Sequence, residues 1–321
     1  MIETFEGRSV HNSRDYTQQI ALLLKTVDHL SEKLESLTAR KPKYPLAFVT
    51  DFSYAALDHT APGELLDPLR RICKENSIDF VRPEREVHTV YPLNTVSGSF
   101  NIDVITRAYE YQPLILVGVV DPGVGSAREG IVIVTNNNHI YAGPNNGIFW
   151  ESIKREGIKT VFKIKNEVFN SAQSVTFHGR DVFVPIAAEF ICGKTPEQLT
   201  HLIESIDVNR LVQLDFQSNQ ILHLDGFNLV KVNARIPEPR PDFAKVTVFK
   251  NGKRKFIMIP LKEKFIDGIG QIMAYPGSTR GFMEIAVGNK VLSHEPNAVK
   301  QLSIDSKYPI EPGDILEIEW K

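Results

Sequence analysis

Asp121, Arg128 and His178 are the residues whose types and settings could do chemistry in this sequence. Asp121 ends the apolar run LILVGVV at Leu114–Val120, and Pro122, Gly123 and Gly125 turn the chain toward Arg128. His178 stands in TFHGRD, Thr176–Asp181, among turn-forming residues. An arginine beside a carboxylate favours its charged form, and a histidine exchanges a proton near neutral pH. Such a cluster could orient and deprotonate a water. The same three residues also suit a capped turn, a surface ion pair and a hydrogen-bonded core histidine. Spacing alone does not separate these readings.

Other residues pose the same choice. Asp51 ends the strand-like run PLAFVT, where a carboxylate could accept from a vicinal diol such as a ribose, share a metal with Asp121, or cap a turn. Neither a Walker-type nor a GxGxxG loop occurs, which removes the usual support for phosphate chemistry. In YAGPNNGIFW, Tyr141–Trp150, residues Gly143, Pro144 and Asn145 predict a tight connection, with Asn146 as a helix cap. Further on, Asn228 in DGFNLV and the run GSTRG at 277–281 interrupt apolar strands. Amides and hydroxyls there could read an adenine edge, and Arg280 suits a carboxylate. Plain hairpin turns are the alternative.

The elements that must hold these residues follow from hydrophobic pattern. The chain has 321 residues, which allow one large domain or two ordinary ones, and 42% of them are hydrophobic, enough for a sizeable core. Its net charge of -2 gives no electrostatic reason for a nucleic-acid or membrane partner. The basic cluster Lys253–Lys255 follows Asn251–Gly252 and reads as a hairpin. Two cysteines, Cys73 and Cys192, cannot build a disulfide framework, and neither a signal peptide nor an apolar span is visible, so a cytoplasmic protein is expected.

Three regions are predicted: a helical extension over 1–43, an α/β domain over 44–205 and a smaller β domain over 206–321. In the first, Ile20, Leu23, Leu24, Val27, Leu30, Leu34 and Leu37 recur at helical spacing from Tyr16 to Leu37, with Asn12 or Ser13 as cap. That stripe suits a short coiled coil between subunits or packing on the chain's own body. ARKPKYP then reads as a linker. Strand-like runs at Pro45–Thr50, Ile78–Arg82, Leu114–Val120, Ile131–Thr135 and Thr160–Ile164 alternate with helical spacing at Leu65–Lys74, Ile102–Tyr109 and Gly147–Arg155. This predicts a central, mostly parallel sheet covered by helices, with Asp51 and Asp121 at one edge. Period-two alternation after Leu211 predicts a small barrel or sandwich.

VVDPGVGSAR, YAGPNNG and TFHGRD, in that order and followed by GFMEIAV, resemble the S-adenosyl-L-methionine (SAM) hydrolase family, also called SAM hydroxide adenosyltransferases. The bacterial fluorinase and chlorinase belong to the same superfamily. The resemblance runs from about Pro45 to the C-terminus. It implies that water or hydroxide displaces methionine from the ribose C5′ of SAM, giving adenosine and L-methionine, with no metal and no cofactor beyond the substrate. It places the catalytic triad at Asp121, Arg128 and His178, the ribose-binding acid at Asp51 and the adenine-reading asparagine at Asn228. Asp225 lies near the family's ammonium-binding acid, and Ser278, Thr279 and Arg280 stand where a pair flanks the methionine end. The halogenases carry tyrosine where this chain has Asp121 and a hydroxyl residue where it has Gly179, so the hydrolytic branch is implied. Family enzymes are homotrimers with sites between subunits. Ser53 replaces a family glycine, GFNLVKVN replaces FGNLVTN, and Gly288 stands where asparagine is usual. These departures on the ligand side keep two alternatives, a non-catalytic SAM- or adenosine-binding protein and a hydrolase of a related sulfonium nucleoside.

Overall fold

The computed structural model describes residues 11–38, 40–42, 44–52, 60–79, 87–225, 229–264, 267, 270–287, 298–307 and 309–321. The first element among the described residues is helix α1 (His11–Thr38). The predicted start at Asn12 or Ser13 therefore lies inside the helix. Residues 17–31 of α1 are exposed throughout, so the part of the stripe from Ile20 to Leu30 does not pack on the chain's own body.

Seven strands then form one sheet: β1 (Leu46–Thr50), β2 (Val87–Thr89), β3 (Ile115–Val119), β4 (Gly130–Thr135), β5 (Ile140–Pro144), β6 (Ile158–Ile164) and β7 (Ile203–Ser205). Their order is β2-β1-β3-β5-β4-β6-β7. The pairs β2/β1, β1/β3 and β3/β5 are parallel, while β4 runs against β5 and β6, and β7 runs against β6. All but β4 and β7 thus point the same way. Every residue of β1 and β3 is buried, which explains why their sequences are continuously apolar instead of alternating.

Helices cover both faces. Leu46, Phe48, Ile115 and Val117 pack with α2 (Thr60–Glu75) and α6 (Val184–Ile191) through Leu65, Leu69 and Phe190. Ala47, Val49 and Leu116 pack on the other face with Ile102 of α3 (Thr95–Ala108) and Ile153 of α4 (Trp150–Glu156). Asn94 caps α3, accepting from Ser97 N at 2.9 Å. A short α5 (Asn166–Asn170) follows β6.

Three predictions are corrected here. Ile140–Pro144 is a fully buried strand, not a turn. Gly143 permits it, because a Cβ there would lie 2.5 Å from Gly118 O on the neighbouring strand. Nor does Asn146 cap α4: its Oδ1 accepts from Ile148 N and its Nδ2 donates to Val120 O, bracing the end of β3. The strand predicted at Ile78–Arg82 is reduced to a bridge between Ile78 and Arg40, with 80–82 outside the described residues.

The C-terminal part has two antiparallel sheets. One holds β10 (Phe243–Lys250), β11 (Lys253–Pro260) and β14 (Leu316–Trp320), and the other β8 (Ile221–Leu224), β9 (Val230–Val232), β12 (Ile272–Pro276) and β13 (Met283–Val287). Bridges Gln220↔Ile315 and Leu261↔Ala274 join their edges, closing a small barrel around Val246, Val248, Ile259, Val232 and Ile285. Helix α7 (Ala298–Leu302) packs beside it.

The barrel sits on α3. Phe100 meets Leu222 and Phe282 in a small apolar cluster, and Ser97 Oγ lies 2.9 Å from His223 Nδ1. Arg280 Nη1 donates to Asp103 Oδ2 at 2.6 Å across the same boundary.

Candidate active site

Strands β1 and β3 are adjacent and parallel, so the residues that follow them emerge at one edge of the sheet. Asp51 and Asp121 face a cavity of about 300 Å³ there, whose lining also includes Phe52, Leu93, Phe177 and His178. This is the edge where open α/β sheets bind ligands.

The turn after Asp121 is built by its own backbone. Val124 N donates to Asp121 O, and Ser126 N and Oγ both donate to Gly123 O, which folds Arg128 back toward the carboxylate. Arg128 Nε donates to Asp121 Oδ1 at 2.8 Å and Oδ2 at 2.9 Å, and Nη2 donates to Oδ2 as well. Both side chains are nearly buried, at 11% and 7% exposure, so this is an enclosed pair and not a surface one. The rings of Phe169 and Phe183 lie 5.9 and 5.2 Å from the Arg128 guanidinium.

The second motif supplies the third group. Asp181 Oδ2 accepts from Ser174 N at 2.8 Å, and its carboxylate also accepts from Arg180, whose Nη1 reaches Glu64 at 3.0 Å. Together these fix the loop that carries His178. Gly179, which opens a π-helical turn at Gly179–Phe183, lets the loop press on β3, since a Cβ there would lie 2.4 Å from Val119 Cγ1. His178 is thereby buried, edge-on to Phe169 with centroids 5.0 Å apart.

Arg128 Nη2 lies 3.2 Å from His178 Nδ1. A guanidinium only donates, so Nδ1 accepts and the neutral ring carries its proton on Nε2. Burial and the Arg128 charge both push the His178 pKa below the ordinary 6.5, outweighing Asp121 and Asp181. Burial instead raises the Asp51 carboxyl above 3.8, against the hydrogen bond from Leu93 N at 2.7 Å and with a further push from Asp121. A carboxyl group whose ionisation is made costlier by burial and by a neighbouring carboxylate favours a ligand bearing hydroxyl donors or positive charge.

Asp51, Asp121, Arg128 and His178 therefore converge, while the other predicted residues that the structure describes stand elsewhere. Asp225 accepts from Leu229 N through Oδ1, Arg280 is tied to Asp103, and Ser278 and Thr279 occupy the β12–β13 connection. Asn228 and Ser53 lie outside the described residues. Behind the triad a second, more polar cavity of about 470 Å³ is lined by Ser126, Arg128, Glu129, Lys163, Asn170 and His178. Sequence reasoning missed the Leu93 amide and the T-shaped pair Phe52–Phe177, at 5.2 Å. Leu93 has a positive φ of 52°, and its place beside the helix-capping Asn94 was the available signal. Among the described residues no group of three or more His, Cys, Asp or Glu side chains is arranged to hold a metal ion.

Residues 46–200, which carry this whole site, match the SAM hydroxide adenosyltransferase N-terminal domain. That stretch, just under half of the chain, is the part that the family's domain describes. A relative from Methanocaldococcus jannaschii, named (R)-S-adenosyl-L-methionine hydrolase, is 27% identical over 253 residues, covering 78% of this chain and 88% of its own length. A Thermus thermophilus protein of the same name is 28% identical over 208 residues, covering 61% and 76%. A crystal structure of an uncharacterized conserved protein from Thermotoga maritima superposes with a TM-score of 0.61 at 25% identity, over 85% of this chain and 100% of that one. The fold shared with that protein thus extends past residue 200 into the barrel region. No helix among the described residues is long and apolar enough to cross a membrane.

Proposed function

We propose that the chain hydrolyses SAM to adenosine and L-methionine at the Asp121–Arg128–His178 cluster. The observation that carries this reading is the arginine that holds both oxygens of one carboxylate and the Nδ1 of a buried neutral histidine, at the wall of a cavity with a second carboxylate. A sulfonium fits that cavity electrostatically, because Asp51 and Asp121 both face it.

The chemistry asks little of an acid. A water oxygen bonds to C5′ while the C5′–S bond breaks, and the sulfur leaves with the electron pair as a neutral thioether that needs no protonation. What limits the reaction is placing the water in line and removing its proton. Asp121 keeps acceptor capacity beyond its Arg128 bonds and takes that proton as the oxygen turns acidic. His178 orients the water, and Arg128 fixes both groups. Asp51 takes the ribose hydroxyls through the oxygen that Leu93 leaves open. With substrate filling the first cavity, the polar cavity behind His178 gives solvent a separate approach.

The reaction as proposed uses no metal and no cofactor. The α/β domain over 44–205 carries the catalytic groups. The β domain over 206–321 offers Asn228, Asp225, Ser278, Thr279 and Arg280 to adenine and methionine across a subunit boundary in a homotrimer. Such an arrangement accounts for the absence of Asp225, Ser278, Thr279 and Arg280 from the lining of the Asp121 cavity within one chain.

The test is incubation of the purified chain with SAM in ¹⁸O-labelled water. Adenosine carrying label on its 5′ oxygen, together with methionine, is the expected result, and Asp121→Asn and His178→Ala are each expected to lose about 10²–10⁴ in rate. Unlabelled adenosine, no turnover, or undiminished rates in both variants would refute the reading.

A further inference from the structure

Helix α1 precedes the family domain, which starts at residue 46, and the proposed reaction makes no use of it. Its side chains Ile20, Leu22, Leu23, Leu24, Val27 and Leu30 are between 57% and 67% exposed. A helix of this kind is marginal alone in water, since helical stability in proteins comes mainly from packing of an apolar face.

The pattern over the described side chains specifies what covers that face. Setting Ile20 at heptad position a places Val27 at the next a, and Leu23 and Leu30 at successive d positions. The flanking e and g positions are Thr17, Gln19, Leu24, Thr26 and Ser31, none of them charged. Thr26 donates its hydroxyl back to Leu22 O at 2.9 Å, which turns its polar end away from the seam. The charged residues of this stretch, Lys25 and Asp28, fall at f and b, on the opposite side. A second copy laid alongside in register therefore meets a with a and d with d, and brings no like charges together. β-branched residues at a with leucine at d favour parallel two-stranded pairing.

We infer that α1 pairs in parallel, in register, with α1 of a second copy of this chain, through Ile20, Leu23, Val27 and Leu30, the second copy belonging to another trimer where the catalytic domains form one. The helix then acts as an assembly device outside the catalytic fold. Leu24 at e widens the buried strip in the central heptad.

Cysteine cross-linking in the full chain tests this independently of whatever contacts the rest of the protein makes. Under mild oxidation Leu30→Cys is expected to form a disulfide-linked species of doubled mass, because d positions face each other across the seam. Asp28→Cys, two residues away at b, is expected to stay at single mass. Adding Val27→Lys is expected to abolish the Leu30→Cys product. The inference is overturned if both cysteines link equally, if neither links, if Leu30→Cys links to a different polypeptide, or if Val27→Lys leaves the product unchanged.

Discussion

Acid is expected to loosen the junction between the barrel and α3, through His223. This imidazole is 8% exposed, with Ser97 Oγ 2.9 Å and Asn101 Nδ2 3.2 Å from Nδ1 and Phe100 stacked against it. Both neighbours donate, so Nδ1 must accept and the ring is held neutral. Burial, helped by the Lys231 charge, lowers its pKa from 6.5 to about 4. Because the folded value lies below the unfolded one, the unfolded chain binds the proton more readily. The stability due to neutral His223 is complete above pH 6.5 and is lost as pH falls toward 4, with no further loss below. At about 1.4 kcal/mol per pKa unit, the shift corresponds to about 3 kcal/mol. Urea unfolding of the parent chain and of His223→Gln measures this difference. Glutamine retains an acceptor for Ser97 but cannot take up the proton. The parent is expected to lose about 3 kcal/mol more than the variant between neutral pH and pH near 4. Since His139 and His178 also have lowered values and add slope of the same sign, the subtraction is what isolates His223. Equal losses in both proteins would refute the reasoning.

Three further outcomes follow from the site and its supports. In a pH profile of kcat/KM, activity is expected to stay level through neutrality and fall only below pH 6.5, because His178 must remain neutral to accept from Arg128; an acid limb centred above 6.5 contradicts this. Gly179→Ala, with its Cβ against Val119, is expected to cost about 1–3 kcal/mol and to displace His178, so activity falls too. Adding Val119→Ala, which removes the clashing methyls, is expected to restore part of both, and no recovery in a thermal melt and rate assay argues against the overlap. Asp103 is 1% exposed and pairs with Arg107, Arg155 and Arg280, so Asp103→Ala strands several guanidinium groups and is expected to cost about 3–5 kcal/mol in a urea midpoint comparison. A loss below about 1 kcal/mol would mean solvent already satisfies them.

Much of the α/β sheet is legible in the sequence, because strands buried on both faces must be continuously apolar, as LAFVT and ILVGV are. The segment at Ile140–Pro144 is not legible, since glycine and proline there serve a close strand approach while their local preference is for turns. The barrel's alternation shows in FAKVTVFK, whereas its closure depends on single bridges between residues distant in sequence. The heptad stripe of α1 is a sequence property, yet its exposure is known only from the folded chain.

The sequence by itself determined which residues are candidates for chemistry, because VVDPGVGSAR and TFHGRD hold an acid, an arginine and a histidine in turns that local backbone rules predict. It also determined that Asp51 and Asp121 end strands of one sheet. Only tertiary structure decided between a capped turn with a surface ion pair and an enclosed triad. Arg128 and His178 are fifty residues apart, and their contact depends on Gly179 pressing against Val119 and on Asp181 bracing the loop. The low-dielectric setting that keeps His178 neutral is likewise a product of packing, because desolvation arises only when distant segments close over the ring.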